Sequence, residues 1–507
     1  TAQRRAGWSA LGLFALAQAA LMVVIRLWQP RFFYVDDLQA QYLPVWTWLG
    51  QRTGWSGPPL IDPDQGSGGA FVADLQYGVL DPFHWLLANA ISRFDGLNAV
   101  GWGLHIGAVT VLGLGVVAVA THYRVRPGWT AAAALGAANC GFLFWFGASW
   151  WPAAWGTALL PWLWWALVSR LRIAVPVAAF AGYLIATSGY PYSLPFAGLL
   201  VIGVAVERGF RHGWRPGLRE RGFLLRVLAS GGGVLLAAPA LLAASAMTPY
   251  SQRATLPTGD LGSTGDFIPN ILDVLIGGPT STAQVSGWWG TLLPSPAMAT
   301  GWFVLPVLAL VDWSRVRALG GARRLPGVAV SLVMVTGSLL ASQTPTVVGG
   351  LRYPFRYVVV LQVVLPLLVA LLASRGGVRL GRAQLLAASA LLLVQGALGV
   401  LRTPALAGWH VGAAVLGILV LVVAGRLAAG RDGRAAGWTG DGVDGDADDL
   451  GGPVPRRRLS PGSSGSRVAL VALVLAATAV APLVSIGTAV AVNDRVAEKR
   501  GQAPSGL

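Results

Sequence analysis

Apolar runs, each about as long as the hydrocarbon core of a bilayer is thick, recur along this sequence. A membrane-crossing helix needs roughly 20 apolar residues, within a range of about 17–25. Runs of this kind occupy 7–28, 98–120, 129–147, 152–169, 173–188, 191–206, 227–247, 299–312, 327–342, 357–374, 384–401, 410–426 and 468–491. Hydrocarbon offers backbone N–H and C=O groups no partner, so each run must satisfy its own and is expected to be helical. The expectation is an all-α polytopic membrane protein of about 13 transmembrane helices. Of the 507 residues, 54% are hydrophobic and 11% charged. Soluble domains carry about 25% charged residues, so counting soluble domains from length does not apply.

The net charge of +16 raises the question of nucleic acid, and its distribution answers it. With the N-terminus in the cytoplasm, the inside segments collect Arg4, Arg5, Arg124, Arg126, Arg170, Arg172, the six arginines of 208–226, and further clusters at 315–324, 375–382 and 426–467. They hold 26 of the 37 basic residues. Cytoplasmic loops carry this excess in membrane proteins. The charge is therefore a topology signal, and no nucleic acid is needed to explain it. Arg4 and Arg5 before the first run mark a retained anchor helix, and the tail 492–507 falls outside. The single cysteine, Cys140, permits no intrachain disulfide and no cysteine-based metal site.

Residues 1–426 form the expected transmembrane domain, with long outside segments at 29–96 and 248–298 and a short one at 343–356. Residues 427–467 combine glycines with Asp441, Asp444, Asp446, Asp448, Asp449 and Arg456–Arg458. Too few apolar groups are present there to bury a core, which predicts a disordered cytoplasmic linker. Residues 468–507 are then a last helix and an outside tail. The spans hold few charges, whereas a transporter is expected to place them along its pathway.

Asp36 and Asp37 stand where the chain leaves the first span, and ionisable groups so near hydrocarbon are functional candidates. Gln41 and Tyr42 follow at helical spacing, then Trp46 and Trp48, which predicts an interfacial helix with its aromatics at headgroup depth. A second interfacial helix is expected around Trp85-Leu86-Leu87. Between them Asp62 and Asp64 flank Pro63 as turn formers, and Asp81 before Pro82 reads as a helix cap. His84 reads as a packed histidine before a base. A carboxylate in this segment can deprotonate a hydroxyl. Adjacent carboxylates can also help to hold Mg²⁺ or Mn²⁺, although two such ligands alone are a weak signal.

Arg352 and Arg356, in Arg352-Tyr353-Pro354-Phe355-Arg356, lie outside, where the charge rule disfavours them. Guanidinium forks match phosphate oxygens, so donor-phosphate binding is expected of both, with Arg253 as a further candidate. Snorkelling to headgroups is the plain alternative. Tyr190 and Tyr192, and the pairs Trp150-Trp151 and Trp288-Trp289, read first as interfacial belt anchors, with sugar stacking the sharper alternative. No phosphate-binding Gly-rich loop, zinc-protease motif or nucleophile elbow is present.

These residues resemble the YfhO-like membrane proteins within the GT-C glycosyltransferase superfamily. The landmarks are Asp37-Leu38-Gln39-Ala40-Gln41-Tyr42-Leu43-Pro44, Gly78-Val79-Leu80-Asp81-Pro82-Phe83, Ser188-Gly189-Tyr190-Pro191, Ser251-Gln252-Arg253 and Arg352-Tyr353-Pro354-Phe355-Arg356. They cover about residues 7–375. The resemblance implies a GT-C-like bundle in a bacterial plasma membrane. It also implies an inverting enzyme that takes a sugar from a polyprenyl-phosphate donor to a cell-envelope glycan or lipid acceptor on the outer face. Asp37 matches the family's base and Asp36 is an additional acid. Gln41, Tyr42, Asp74, His84 and Tyr353 are expected against substrate. Without a large C-terminal soluble domain, acceptor recognition would fall to the outside loops or to an envelope-assembly partner. A lipid-linked saccharide flippase and a non-catalytic assembly scaffold are the alternatives.

Overall fold

The computed structural model describes residues 2–54, 57–62, 69–247, 249, 268–278, 283–285, 293–295, 297–300, 303–321, 324–345, 347–348, 351–436, 474, 478 and 480–487. The chain is helical almost throughout. Its sheet content among the described residues is two short antiparallel pairs, Ala283–Val285 with Leu293–Ser295 and Val347–Val348 with Leu351–Arg352.

Six described helices are long and apolar enough to cross a membrane, or eight if two bent pairs each count as one. The straight ones include α1 (Ala2–Trp28) and α4 (Leu97–His122), separated by two short loop helices, α2 (Leu43–Arg52) and α3 (Pro82–Ile91). α5 (Pro127–Ala138) and α6 (Gly141–Ser149) form one bent pair, at 43°. Then follow α7 (Trp151–Ala158), α8 (Leu160–Val168), α9 (Ala174–Thr187), α10 (Ser193–His212) and α11 (Trp214–Leu218). α12 (Arg221–Leu236) and α13 (Ala238–Met247) are the second bent pair, at 46°. After them come α14 (Ile271–Ile276), α15 (Val304–Leu310), α16 (Trp313–Ala318) and α17 (Val328–Ser342). α18 (Val358–Gly376), α19 (Arg382–Arg402) and α20 (Ala407–Ala436) close the described bundle.

The chain is thus a nearly all-helical, multi-pass membrane protein, and among the described residues six to eight of the thirteen apolar runs' helices are long enough to span. Hydropathy counts apolar runs. It does not see that Asn139-Cys140 breaks one of them, or that Leu159 cuts the next into α7 and α8. α20 also continues to Ala436, ten residues into the expected linker. The rest of that linker lies outside the described residues, as does most of 468–507.

α18 runs through the middle of the bundle, and its apolar window is wholly buried. Its Gln362 serves the α5–α6 break. Gln362 Oε1 accepts from Phe142 N at 3.0 Å, its Nε2 donates to Ala297 O at 2.7 Å, and Gly141 N donates to Ala299 O at 2.8 Å. Broken helices are tolerated at membrane depth only where protein groups take up the freed backbone in this way.

The two ends of the bundle differ. At one end meet the loop 29–96, the α6–α7 junction, the α9–α10 turn and the approach to α18. At the other, Arg375 Nη2 donates to Tyr123 O at 2.5 Å and Gly327 N to Glu207 Oε2 at 2.7 Å. Glu207 and Arg226, 4% and 5% exposed, are charges buried inside spans at this second end. Among the described residues, segments expected outside bond to one another at the first end, and segments expected inside, around Tyr123, Glu207 and Arg375, do so at the second.

Candidate functional site

The loop after α1 does not continue as one surface helix. Asp36 adopts φ 52°, a left-handed conformation that aspartate tolerates better than most residues. Leu38–Tyr42 then forms a π-helical turn with Asp37 at its N-terminal boundary. Such wide turns recur at functional sites. α2 follows and packs against α3 so closely that a Cβ on Gly50 would sit 2.1 Å from Ala88 O. Trp46 is fully buried, so it is a core residue and not the headgroup-depth anchor expected of it. It packs on Tyr42, with ring centroids 5.5 Å apart, and on Trp151 at 5.4 Å.

Asp81 caps α3, with Oδ1 accepting Phe83 N at 3.1 Å. Its Oδ2 lies 2.5 Å from His84 Nδ1, and Tyr183 OH donates to Oδ1 at 3.0 Å. Burial pushes the Asp81 carboxyl up, but His84, Phe83 N and Tyr183 together outweigh it and hold the carboxyl below the usual range. His84 is 2% exposed. It is tucked behind Gly78, whose missing Cβ would lie 2.1 Å from the His84 ring. The residue is enclosed, with its Nδ1 held against Asp81.

The segment between α2 and α3 carries the link to the rest of the site. Asp74 Oδ1 accepts Gln76 N at 3.0 Å, and both Asp74 oxygens accept Gln76 Nε2 at 3.1 Å. Held this way, Gln76 Oε1 accepts both Tyr42 OH and Trp150 Nε1, each at 2.5 Å. Gln41 Nε2 donates to Tyr77 OH at 2.7 Å. The α9–α10 turn docks on the same segment. Gly189, at φ 74°, approaches so closely that a Cβ would be 2.5 Å from Gln76 Cα.

Arg356 approaches from the other side of the sequence. Tyr353, buried and at φ 64°, turns the chain into the 3₁₀ helix Pro354–Tyr357. That turn aims the Arg356 guanidinium into a cage of rings. Its Cζ lies 4.3 Å from the Trp150 ring centroid, 4.7 Å from Tyr353 and 5.5 Å from Tyr192. Arg356 Nη1 donates to Tyr192 OH at 3.1 Å, and Tyr190 OH donates to Arg356 O at 2.9 Å. Cation–ring contacts of this kind strengthen as water is excluded.

Asp37 and Arg356 are electrostatic neighbours. Partial burial and the adjacent Asp36 push the Asp37 carboxyl above its ordinary range, and Arg356 pulls it part of the way back. The Tyr42 phenol sits among them: burial foremost, then Asp37, Asp74 and Tyr77, raise it well above the usual tyrosine value, against Arg356. It remains a neutral donor to Gln76. A carboxylate of raised proton affinity and a caged guanidinium thus lie within electrostatic reach of each other.

Of the residues singled out in the sequence, Asp36, Asp37, Gln41, Tyr42, Asp74, Tyr353 and Arg356 come together here. Arg352 lies in the short strand leading to Tyr353, with its side chain outside the described residues. Arg253, Trp288 and Trp289 also lie outside them. Tyr190 and Tyr192 are 1% and 3% exposed. They are core residues and not belt anchors: Tyr192 is a wall of the arginine cage, and Tyr190 bonds to the Arg356 backbone. Trp150 joins the cage, while Trp151 is buried against Trp46 and Trp155. Gln76 was missed, because an uncharged glutamine in a turn-rich loop carries no one-dimensional mark. Asp36 and Asp37 supply two carboxylates, and no group of three or more His, Cys, Asp or Glu comes together among the described residues. A divalent ion there would draw most of its shell from water or substrate phosphate.

No family model matches the chain, and no curated protein matches it. Among solved structures, it is similar to the crystal structure of ArnT from Cupriavidus metallidurans bound to undecaprenyl phosphate, at 14% identity and a TM-score of 0.48, over 97% of this chain and 81% of that one. A likeness of that size carries no residue role to this chain.

Proposed function

We propose that this chain is a GT-C-type membrane glycosyltransferase that moves a sugar from a polyprenyl-phosphate donor to a glycan or lipid acceptor on the outer face. The observation that supports the reading is that Asp37 lies within electrostatic reach of the ring-caged Arg356. The acceptor hydroxyl oxygen attacks the anomeric carbon, and Asp37 takes its proton. The bond from that carbon to the phosphate oxygen breaks with inversion, and the electron pair leaves on the phosphate. Arg356 stabilises this growing negative charge, the electrostatic contribution that is usually largest in such steps. The raised affinity of Asp37 for a proton suits a general base. Trp150, Tyr192 and Tyr353 hold the guanidinium in place before the phosphate arrives. Asp36 acts through Asp37, whose basicity it raises.

The test is transfer by the full chain in vesicles, with polyprenyl-phosphate sugars as donors and envelope saccharides as acceptors. Transfer is expected, and both Asp37→Asn and Arg356→Gln should lack it while keeping the wild-type helical circular dichroism. Movement of a lipid-linked sugar across the vesicle without transfer would replace the enzyme reading with a flippase. Full activity in both variants would overturn the mechanism.

A further inference from the structure

The end of the bundle away from Asp37 and Arg356 carries a cluster of guanidiniums that the proposed reaction does not use. Arg170 follows α8, Arg208 and Arg211 lie on the last turns of α10, and Arg226 lies on α12. Arg170 is close enough to Arg208 and Arg226 to act on both electrostatically. Two carboxylates serve the four. Glu220 pairs with Arg208 and, at 3.9 Å, with Arg226, while Glu207 takes Arg211 at 3.3 Å. Neither acid has much capacity left for a further cation. Glu207 is buried and already accepts Gly327 N and Tyr123 OH. Arg208 also donates to Gly217 O at 2.8 Å and Arg226 to Leu167 O at 3.3 Å. Arg170 and Arg211 remain exposed at the surface, and among the described residues Arg170 has no ion pair.

Beside this excess of positive charge lies apolar surface that water would not tolerate. Leu171 and Ile173, directly after Arg170, are 61% and 57% exposed, and Leu225 is 53% exposed. Phe210 and Trp214 form an exposed aromatic pair, ring centroids 6.0 Å apart, where α11 folds back on α10. A soluble anion would use the charge and leave these side chains unmatched. A lipid uses both, with acyl chains on the apolar flank and phosphate against the arginines. Basic pockets between helices take anionic lipid headgroups in this manner.

We infer that Arg170 and Arg211, flanked by Leu171, Ile173, Phe210 and Trp214, form a site for the phosphate headgroup of an anionic phospholipid. It lies in the leaflet facing the basic end of the bundle. The site is independent of the transferase reading, because it shares no residue with those that reading uses.

Native mass spectrometry of the full chain, with phosphatidylglycerol, phosphatidylcholine and inorganic phosphate added in turn, tests this. Phosphatidylglycerol is expected to be retained in preference to phosphatidylcholine. Arg170→Gln, an exposed change that breaks no bond, should lower that preference roughly fivefold, the size of effect one surface arginine has on anionic lipid. Arg170→Lys should keep most of it. Arg93→Gln, the same change of charge at the other end, should keep all of it. Equal retention of the two lipids, an unchanged preference in Arg170→Gln, or an equal loss in Arg93→Gln would overturn the site. Displacement of phosphatidylglycerol by millimolar inorganic phosphate would overturn the lipid assignment in favour of a soluble anion.

Discussion

The side-chain oxygen of Gln76 accepts the indole N–H of Trp150 at 2.5 Å, and the face of that indole carries the Arg356 guanidinium. The same oxygen takes Tyr42 OH, one helical turn beyond Asp37. Gln76 is thus the joint between the segment that carries Asp37 and the cage that holds Arg356, and Asp74 fixes its orientation by accepting both its amide and its backbone N–H.

Gln76→Leu should leave Tyr42 OH and Trp150 Nε1 without their acceptor. Each buried group left unsatisfied costs about 1–3 kcal/mol, and the indole no longer fixes the guanidinium. A loss of roughly 10–100-fold in kcat/KM for transfer is expected, with the helical circular dichroism unchanged. Wild-type kinetics in this variant would show that the joint has no part in the reaction.

The pH dependence of transfer should identify the base. Asp37 must be ionised to accept a proton, so activity falls on the acid side as Asp37 protonates. That acid limb should lie at higher pH than for an ordinary carboxylate, because burial and Asp36 raise the Asp37 pKa. Asp36→Asn removes one raising influence, so the limb in kcat/KM should move to lower pH with activity retained. Arg356→Lys weakens both the ring contacts and the fork; it should cut the rate while keeping some of the positive charge that offsets the shift. An acid limb that stays put in Asp36→Asn would move the base elsewhere.

Gly189 answers to geometry alone. At φ 74° a side chain is strained, and its Cβ would be 2.5 Å from Gln76 Cα. Left-handed backbone costs a non-glycine residue roughly 1–2 kcal/mol, and the clash adds to it. Gly189→Ala should lower the melting temperature in detergent and reduce transfer, because the turn and Gln76 must separate. Gly198→Ala, where nothing lies within 4 Å, is the control and should leave both unchanged.

Asp81 predicts an acid sensitivity. Its folded pKa is lowered, so its contribution to stability is fully present above the ordinary carboxylate value near 4. That contribution is lost as pH falls towards the folded pKa. Asp81→Asn should cost about 2–3 kcal/mol at neutral pH, since hydrogen bonds to a buried charge are lost or weakened. It should also flatten the decline in melting temperature below about pH 4. Parallel wild-type and variant curves through that range would mean that Asp81 does not titrate with unfolding.

Much of the molecule was legible in one dimension because hydrocarbon leaves few options. Apolar runs such as 98–120 and 357–374 became the helices Leu97–His122 and Val358–Gly376, since a buried backbone must bond to itself. Arginine placement sorted the loops into two sets, and among the described residues the segments of each set bond to one another at their own end of the bundle. Asp37 and Arg356 were visible as charges in costly positions. Tertiary structure decided the rest. Whether Trp46, Tyr190 and Tyr192 would face lipid or protein depended on which helices lay beside them, and belt anchors and core aromatics have the same composition. Gln362 at the helix break and Gln76 at the joint act only through partners distant in sequence, Phe142 for one and Trp150 for the other. Periodicity and charge record what a segment needs from its solvent. The partner that meets a particular amide or indole is set by packing, and only the folded chain specifies it.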